Sequence, residues 1–84
     1  MTFSVLVEIT LRPGVADPQG ATIERSLPAL GIEGVRGVSV GKAIRFRIEA
    51  PDEASARARV EDLCHRFLAN PVIEDATVTM EACA

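Results

Sequence analysis

Apolar and polar residues alternate along the first part of the chain. Within residues 2–12 every second position is apolar: Phe3, Val5, Val7, Ile9 and Leu11. A repeat of two residues is typical of a β-strand with one buried face. Leu6 is the one apolar residue on the opposite side, and Pro13-Gly14 ends the pattern. Residues 2–12 are therefore predicted to form a half-buried strand.

The next segment carries the signals of a helix. Asp17 can accept hydrogen bonds from the free amides of a first helical turn, and Pro18 lacks the amide that would stay unpaired there. Apolar residues then recur at helical spacing and lead to a glycine typical of a helix end: Ile23, Leu27, Leu30 and Gly31. Pro28 removes a backbone hydrogen bond inside this pattern. We predict a helix over 17–30 that kinks or ends early at Pro28.

Two shorter apolar stretches follow, separated by the turn sequence Gly41-Lys42.

 The first stretch predicts a strand that ends at this turn: Val35, Val38 and Val40. The second alternates with charged residues and predicts a third strand: Ile44, Phe46 and Ile48. The short gap between the two stretches predicts either a hairpin or one long strand bent at Gly41.

A second helix and a final strand complete the pattern. Pro51-Asp52 ends the third strand and caps a helix whose apolar residues share one stripe: Ala56, Val60, Leu63, Cys64, Phe67 and Leu68. Asn70-Pro71 ends this helix. Alternating residues then predict a fourth strand: Ala76, Val78 and Met80.

The element order β-α-β-β-α-β predicts a single α+β domain over residues 1–84. This order is that of the split βαβ, ferredoxin-like arrangement, with a four-stranded antiparallel sheet and two helices on one face. The other face must then meet solvent or a partner. Its predicted residues form a mixed surface that suits a partner: Ser4, Leu6, Glu8, Arg45, Arg47, Thr77 and Thr79.

Composition narrows the classes of function. The 84 residues carry a net charge of −3 and include three Phe but no Tyr or Trp. Nucleic-acid-binding domains usually show a basic face and stacking aromatic residues, so we expect no nucleic-acid partner. The N-terminal residues lack the continuous apolar stretch of a signal peptide, and no run approaches the roughly 18 apolar residues of a membrane span. We expect a cytoplasmic protein without a membrane partner.

No group of residues forms a recognisable catalytic or metal site. The only histidine, His65, falls on the polar side of the second helix, and its neighbour Cys64 points about 100° away from it. Glu74 and Asp75 face opposite sides of a strand and so cannot act as an acid–base pair. Cys64 is expected to be a reduced core thiol and Cys83 to be exposed. We expect no catalytic residue, no bound metal and no cofactor.

Several short motifs together resemble one family. They lie in the family's order and spacing over most of the chain: Arg12-Pro-Gly-Val, Asp17-Pro-Gln-Gly20, Leu27 to Gly31, Gly41-Lys42, Cys64, and Leu68-Ala-Asn-Pro-Val-Ile-Glu-Asp75. On these residues the chain resembles the PurS family, the small subunit of phosphoribosylformylglycinamidine (FGAM) synthase. Ser39 and Ala76 depart from the family's pattern, which often has a basic residue and an aromatic residue at these positions.

The resemblance implies a non-catalytic subunit of a glutamine- and ATP-dependent ligase in de novo purine biosynthesis. Its implied partners are a large synthetase subunit of the PurL type and a glutaminase subunit of the PurQ type, between which it supports ammonia transfer. It also implies self-association as a dimer or tetramer. The candidate interface residues are Asp17, Pro18, Gln19, Gly20, Gly41, Lys42, Arg45, Arg47, Asn70, Pro71, Glu74 and Asp75.

Two other functions remain open from the residues alone. A regulatory module of the ACT type would bind a small metabolite. A dimeric α+β-barrel enzyme would need polar groups inside the sheet, whereas the inward positions are apolar: Phe3, Val5, Val7, Phe46 and Ile48.

Overall fold

A computed structural model describes residues 1–83 of the chain. The helices and strands follow in the order β1 (Thr2–Leu11), α1 (Pro18–Ser26), a 3₁₀ turn (Pro28–Leu30), β2 (Lys42–Glu49), α2 (Glu53–Leu63), a π-helical turn (Cys64–Leu68) and β3 (Glu74–Ala82). Helix α1 ends two residues before Pro28, which confirms the predicted early end. Gly31 follows the 3₁₀ turn in the left-handed conformation expected of a helix-ending glycine.

The sheet is antiparallel and has the strand order β2-β1-β3. Because β1 lies in the middle, its inward side chains are almost completely buried: Phe3, Val5, Val7 and Ile9. Helix α2 packs on this face and adds Ala56 and Val60 to the core, and the π-helical turn that follows adds Cys64. The alternation read from β1 is confirmed, since the residues between these positions are exposed or half-buried.

The predicted four-stranded sheet is wrong, because residues 35–40 form no strand. Their amides do not bond to a neighbouring strand: the backbone N–H groups of Val38 and Val40 donate to side-chain carboxylates of Glu24 and Asp17. Gly34 precedes this segment and Gly37 lies within it, and their positive φ angles of 83° and 68° interrupt an extended course. The hairpin expected around Gly41 is therefore absent, and β2 pairs with β1 instead.

The expected placement of two helices on one sheet face is also wrong. Helix α2 packs against the sheet, whereas α1 makes no substantial packing contact with it. The Cα radius of gyration is 16.6 Å and the principal extents are 52 × 30 × 14 Å. A compact chain of this length has a radius of gyration of about 12 Å. Residues 13–41, here called the arm, therefore extend away from the rest of the chain, here called the body.

Phe67 departs from the predicted apolar stripe of the second helix, and its side chain is 80% exposed. The cause is the π-helical turn over Cys64–Leu68, in which each residue advances less around the helix axis than in an α-helix. This slower rotation carries Phe67 out of the stripe, while Leu68 still packs against the core. Within residues 1–83, no helix is long and apolar enough to cross a membrane.

Candidate subunit interface

Asp17 holds two parts of the arm together with one carboxylate. One oxygen, Oδ1, accepts from the backbone N–H of Gly20 at 2.9 Å and caps α1 as expected. The other, Oδ2, accepts from the backbone N–H of Val40 at 2.8 Å. The second bond joins the start of α1 to the end of residues 32–41, a segment here called the strap. The capping motif thus also fixes the path of a segment 23 positions away.

Glu24 makes a second contact of this kind on the same side of α1. The carboxylates of Asp17 and Glu24 are here called the clasps. It lies seven residues after Asp17, which is two helical turns, so both carboxylates face the strap. Glu24 Oε1 accepts from the backbone N–H of Val38 at 3.0 Å. Sequence reasoning did not identify Glu24, although its seven-residue spacing from the cap was available as a signal. Two acidic side chains therefore satisfy alternate amides of the strap as a neighbouring strand would.

Two glycines permit the close packing that these bonds require. A Cβ atom on Gly20 would collide with the carbonyl oxygen of Val38 and would lie 2.6 Å from Asp17 Oδ2. A Cβ atom on Gly41 would lie 2.6 Å from the carbonyl oxygen of Ile9. Both positions are thus restricted to glycine by space rather than by backbone angle. This explains the glycines of the Asp17–Gly20 and Gly41-Lys42 motifs.

The pKa of the Asp17 carboxyl lies below its ordinary value of 3.8. The main cause is the hydrogen bond from the Gly20 amide, followed by the bond from the Val40 amide, since both favour the charged form. The clasp is therefore fully charged at neutral pH.

One shallow cleft collects residues from three of the predicted interface motifs. It has a volume of about 360 Å³ and lies where the arm meets the end of the sheet. Its lining includes the following predicted residues: Asp17, Pro18, Gln19, Gly41, Lys42 and Glu74. Gly20 is buried beside it. The structure thus brings together six candidate residues that are far apart in sequence.

The turn over residues 70–75 is held by its own polar groups. Asn70 Oδ1 accepts from the amide of Val72 at 3.1 Å, and the Asn70 amide donates to Glu74 Oε1 at 2.7 Å. Arg12 connects this turn to the end of β1, because its Nε lies 3.3 Å from Asp75 Oδ1. Its amide also donates to the carbonyl of Ile73 at 2.8 Å. Asn70 and Glu74 therefore stabilise the turn itself.

Arg45 and Arg47 lie apart from the cleft, on the open face of the sheet. In the register of the sheet, Arg47 is opposite Ser4, which is opposite Glu81 on the other side. Arg45 is likewise aligned with Leu6 in the middle strand. Both arginines are exposed, and α2 covers the opposite face. The candidate residues thus do not share one surface, since Pro71 and Asp75 line a further groove, between α2 and β3.

The groove between α2 and β3 is lined by the remaining side chains of chemically reactive types. It has a volume of about 340 Å³, and Cys64 and His65 are among its lining residues. Burial raises the pKa of the Cys64 thiol, and the charge of Glu61 adds to this effect, so the reactive thiolate is disfavoured. His65 is exposed, as expected. Among residues 1–83, no three metal-ligating side chains come together.

Comparison with known proteins places these features in a family. The family model of PurS, described as phosphoribosylformylglycinamidine (FGAM) synthase, matches residues 4–82. The PurS subunit of Synechocystis is 45% identical over 69 residues, which are 82% of this chain and 69% of that protein. The PurS subunit of Methanocaldococcus jannaschii is 38% identical over 79 residues, or 94% of this chain and 95% of that one.

A solved structure gives the same result for the fold. A chain in the structure of PurLQS from Thermotoga maritima superposes with a TM-score of 0.89 at 32% identity, covering 96% of this chain and 99% of that chain. The crystal structure of M. jannaschii PurS superposes with a TM-score of 0.86 at 36% identity, covering 98% and 99%. The chain therefore belongs to the PurS family.

Proposed function

We propose that this chain is the small subunit of phosphoribosylformylglycinamidine synthase in purine biosynthesis. Its role is to hold a large synthetase subunit of the PurL type and a glutaminase subunit of the PurQ type together, in the cytoplasm. The family match over residues 4–82 carries this proposal. The similar Thermotoga chain belongs to a structure of PurLQS, which supports an assembly of three kinds of subunit.

The chain contributes no chemistry of its own to this reaction. Ammonia released from glutamine on one subunit must reach the ATP-dependent step on another, where formylglycinamide ribonucleotide becomes the amidine. A subunit that fixes the relative position of two active sites raises the yield of such a transfer, because ammonia is otherwise lost to solvent. Cys64 and His65 line the same groove, but burial disfavours the thiolate form of Cys64, which is the form that acts as a nucleophile.

The contact surface proposed for the partners is the cleft at the end of the sheet, with the arm beside it. This is where the motifs around Asp17 and Gly41 meet Glu74. Both acidic clasps hold the strap in one conformation before a partner arrives, which lowers the ordering cost of binding. Self-association as a dimer or tetramer is part of the same proposal, since the extended chain leaves apolar side chains exposed.

The test is to reconstitute the large subunit and the glutaminase with and without this chain. Amidine formation is followed once from glutamine and once from a high concentration of ammonium salt. Omission of the chain is expected to reduce the glutamine-driven rate strongly and the ammonium-driven rate much less, because free ammonia needs no second active site.

The control is a chain of the same length with an unfolded body, such as the Val60→Asp variant, which places a charge in the core. It should behave as omission does. Equal glutamine-driven rates with and without the native chain would contradict the proposed function and favour a metabolite-binding module.

A further inference from the structure

Strand β3 has a free edge. In the strand order β2-β1-β3 it lies at one end of the sheet, and no segment in the part of the chain that the structure describes pairs with its outer side. Its nine residues pair with β1 in one unbroken register, without a bulge or a proline. Such interruptions usually protect sheet edges from other chains. The free edge of β3 is therefore open to an additional strand.

The register shows which backbone groups of β3 point outward. The Arg12 amide donates to the Ile73 carbonyl at 2.8 Å, and the Cys83 amide donates to the Thr2 carbonyl at 2.8 Å. Both pairs continue the β1–β3 register, so the odd-numbered residues of β3 direct their N–H and C=O groups to β1. The outward N–H and C=O groups then belong to the even-numbered residues: Glu74, Ala76, Val78, Met80 and Ala82.

The groove between α2 and β3 runs along this same edge. Ala76 and Val78 form its strand side, and four residues of α2 and the π-helical turn line the other side: Arg57, Glu61, Cys64 and His65. Ala76 points to the same face of the sheet as Val78 but is exposed, so the groove is open above it. An added strand would place every second side chain in this groove. Main-chain bonding at an edge, with alternate side chains in an adjoining groove, is an established mode of peptide recognition.

The open face of the sheet is divided by charge. On β3 this face carries Asp75 and Glu81, whereas on β2 it carries Arg45 and Arg47. Asp75 contacts Arg12, while Glu81 makes no ion pair among the residues described. Side chains of an added strand on this face would lie beside Asp75 and Glu81, so basic residues are favoured there.

A second copy of this chain fits the edge poorly. Two β3 strands paired antiparallel about a two-fold axis at Val78 would place Asp75 of each opposite Glu81 of the other, and like charges in opposite positions are destabilising. Pairing of β3 with the basic β2 edge of another copy would be head to tail, which gives open filaments unless the rotation closes. A different chain is therefore the better occupant.

We propose that the edge of β3 binds an extended, basic segment of another protein as a fourth strand of the sheet. Small apolar side chains of this segment lie in the groove beside Ala76 and Val78, and its Lys or Arg side chains lie on the open face beside Asp75 and Glu81. This surface follows the side of the sheet, whereas the cleft assigned to the partner subunits lies where the arm meets its end. The inference does not depend on the proposed function.

The first test uses the native chain and a synthetic probe. The probe is a peptide as long as β3, nine residues of alternating Lys and Val with blocked ends. At about ten times its Kd it should slow amide exchange about tenfold at Ala76, Val78 and Met80. The amides of Thr77 and Thr79 already bond to β1 and should change little. Equal changes at all five amides would overturn the proposal.

Two matched peptides test whether the probe pairs as a strand. One carries N-methyl groups on every Val and the other on every Lys, so both keep the charge of the probe. Only one of these two sets of amides faces β3 in a paired strand. One peptide should therefore lose the protection at Ala76 and Val78 while the other retains it. Loss in both peptides, or in neither, would contradict strand pairing.

The charge of the occupant is tested with Glu81→Lys, on an exposed position of the open face. This variant should bind the Lys–Val peptide about threefold more weakly and a Glu–Val peptide more tightly. The control is Glu33→Lys on the exposed arm, which changes the net charge by the same amount and should leave both affinities unchanged. Equal effects of the two variants would show that only net charge matters and would overturn the proposal.

Two further results would assign the edge differently. Protection of Ala76 and Val78 in the native chain before any peptide is added would show that copies of the chain already occupy it. Protection at the outward amides of β2 on addition of peptide would place binding at the opposite edge. Either result would overturn the proposal. The role in glutamine coupling is measured separately, by the rates with and without the chain.

Discussion

The body and the arm are stabilised by different forces. In the body, four inward side chains of β1 are buried to 2% exposure or less beneath α2: Phe3, Val5, Val7 and Ile9. In the arm, Gly20 is the only buried residue among 13–41, and the segment is held by carboxylates that accept from backbone amides. The body therefore depends on apolar burial, whereas the arm depends on a few hydrogen bonds to charged groups.

This difference predicts that the two regions respond to different changes. Substitutions that remove apolar volume should unfold the body cooperatively. Substitutions that replace a single polar atom should release the arm and leave the sheet intact. The arm can thus be ordered well enough to present a surface, although it lacks a core of its own.

The largest effect is expected from a cavity in the body. Ile9→Ala removes a side chain that is 1% exposed and should lower the free energy of unfolding by about 2–5 kcal/mol. Urea denaturation measures this directly. Thr10→Ala, on the exposed side of the same strand, is the matched control and should stay within about 0.5 kcal/mol of the native chain. Equal losses in the two variants would contradict a core centred on β1.

A smaller effect is expected where the arm packs most closely. Gly20→Ala places a methyl group against the Val38 carbonyl, so the strap must move at a cost of about 1–3 kcal/mol. Amide exchange should show faster exchange at Val38 and Val40 with little change in β1. Gln19→Ala, next to it and exposed, is the control. Unchanged exchange in the strap of Gly20→Ala would show that helix and strap are not in contact.

Replacement of one carboxylate oxygen should separate the two functions of Asp17, which are to cap α1 and to hold the strap. Asn is also a good helix cap, so Asp17→Asn can keep the bond from Gly20, but its amide group cannot accept from Val40. We expect Val40 to lose protection from amide exchange while α1 persists. Glu24→Ala provides the comparison, since it removes the acceptor of the Val38 amide, and Val38 should then lose protection instead. Loss of α1 in Asp17→Asn would contradict this separation.

Acid should reproduce the effect of Asp17→Asn in the native chain. The pKa of Asp17 is lowered in the folded state. The charged carboxylate therefore stabilises the fold at pH values above the ordinary pKa of 3.8, and this stabilisation is lost as the pH falls through the lowered pKa. The difference in melting temperature between the native chain and Asp17→Asn should therefore shrink on acidification from pH 7. A constant difference down to pH 2 would contradict the charged clasp.

The smallest effect is expected at the π-helical turn. Phe67→Ala changes a side chain that is 80% exposed, and the free energy of unfolding should shift by no more than about 0.5 kcal/mol. Leu68→Ala, one residue later and packed on the core, should cost clearly more. The same urea experiment compares the two, and the reverse order would place Phe67 in the core after all.

The sequence predicted the elements whose signals are local. The alternation in β1, the caps at Asp17 and Asp52 and the break at Pro28 depend on neighbouring residues, and all were confirmed. The strand predicted over 35–40 was wrong because its amides are satisfied by carboxylates 14 and 23 positions away, which no local repeat reveals. Phe67 was misplaced because the apolar stripe assumes α-helical rotation to its end.

The candidate site was predictable as a set of motifs but not as a surface. The sequence singled out Asp17 as a cap and Gly41 as a turn, yet gave no reason for them to line one cleft with Glu74. That proximity follows from the pairing of β1 with both β2 and β3. Glu24 was missed because an acidic residue on an exposed helix face usually meets only water.

The most direct measurement is the ratio of glutamine-driven to ammonium-driven amidine formation in the reconstituted complex. It is compared for the native chain, for Asp17→Asn combined with Glu24→Ala, and for Thr10→Ala as the body control. We predict that release of the arm lowers this ratio, that the ammonium-driven rate stays unchanged, and that Thr10→Ala behaves as the native chain does. An unchanged ratio in the double variant, with the strap shown to be released by amide exchange, would contradict the arm as the element that couples the two active sites.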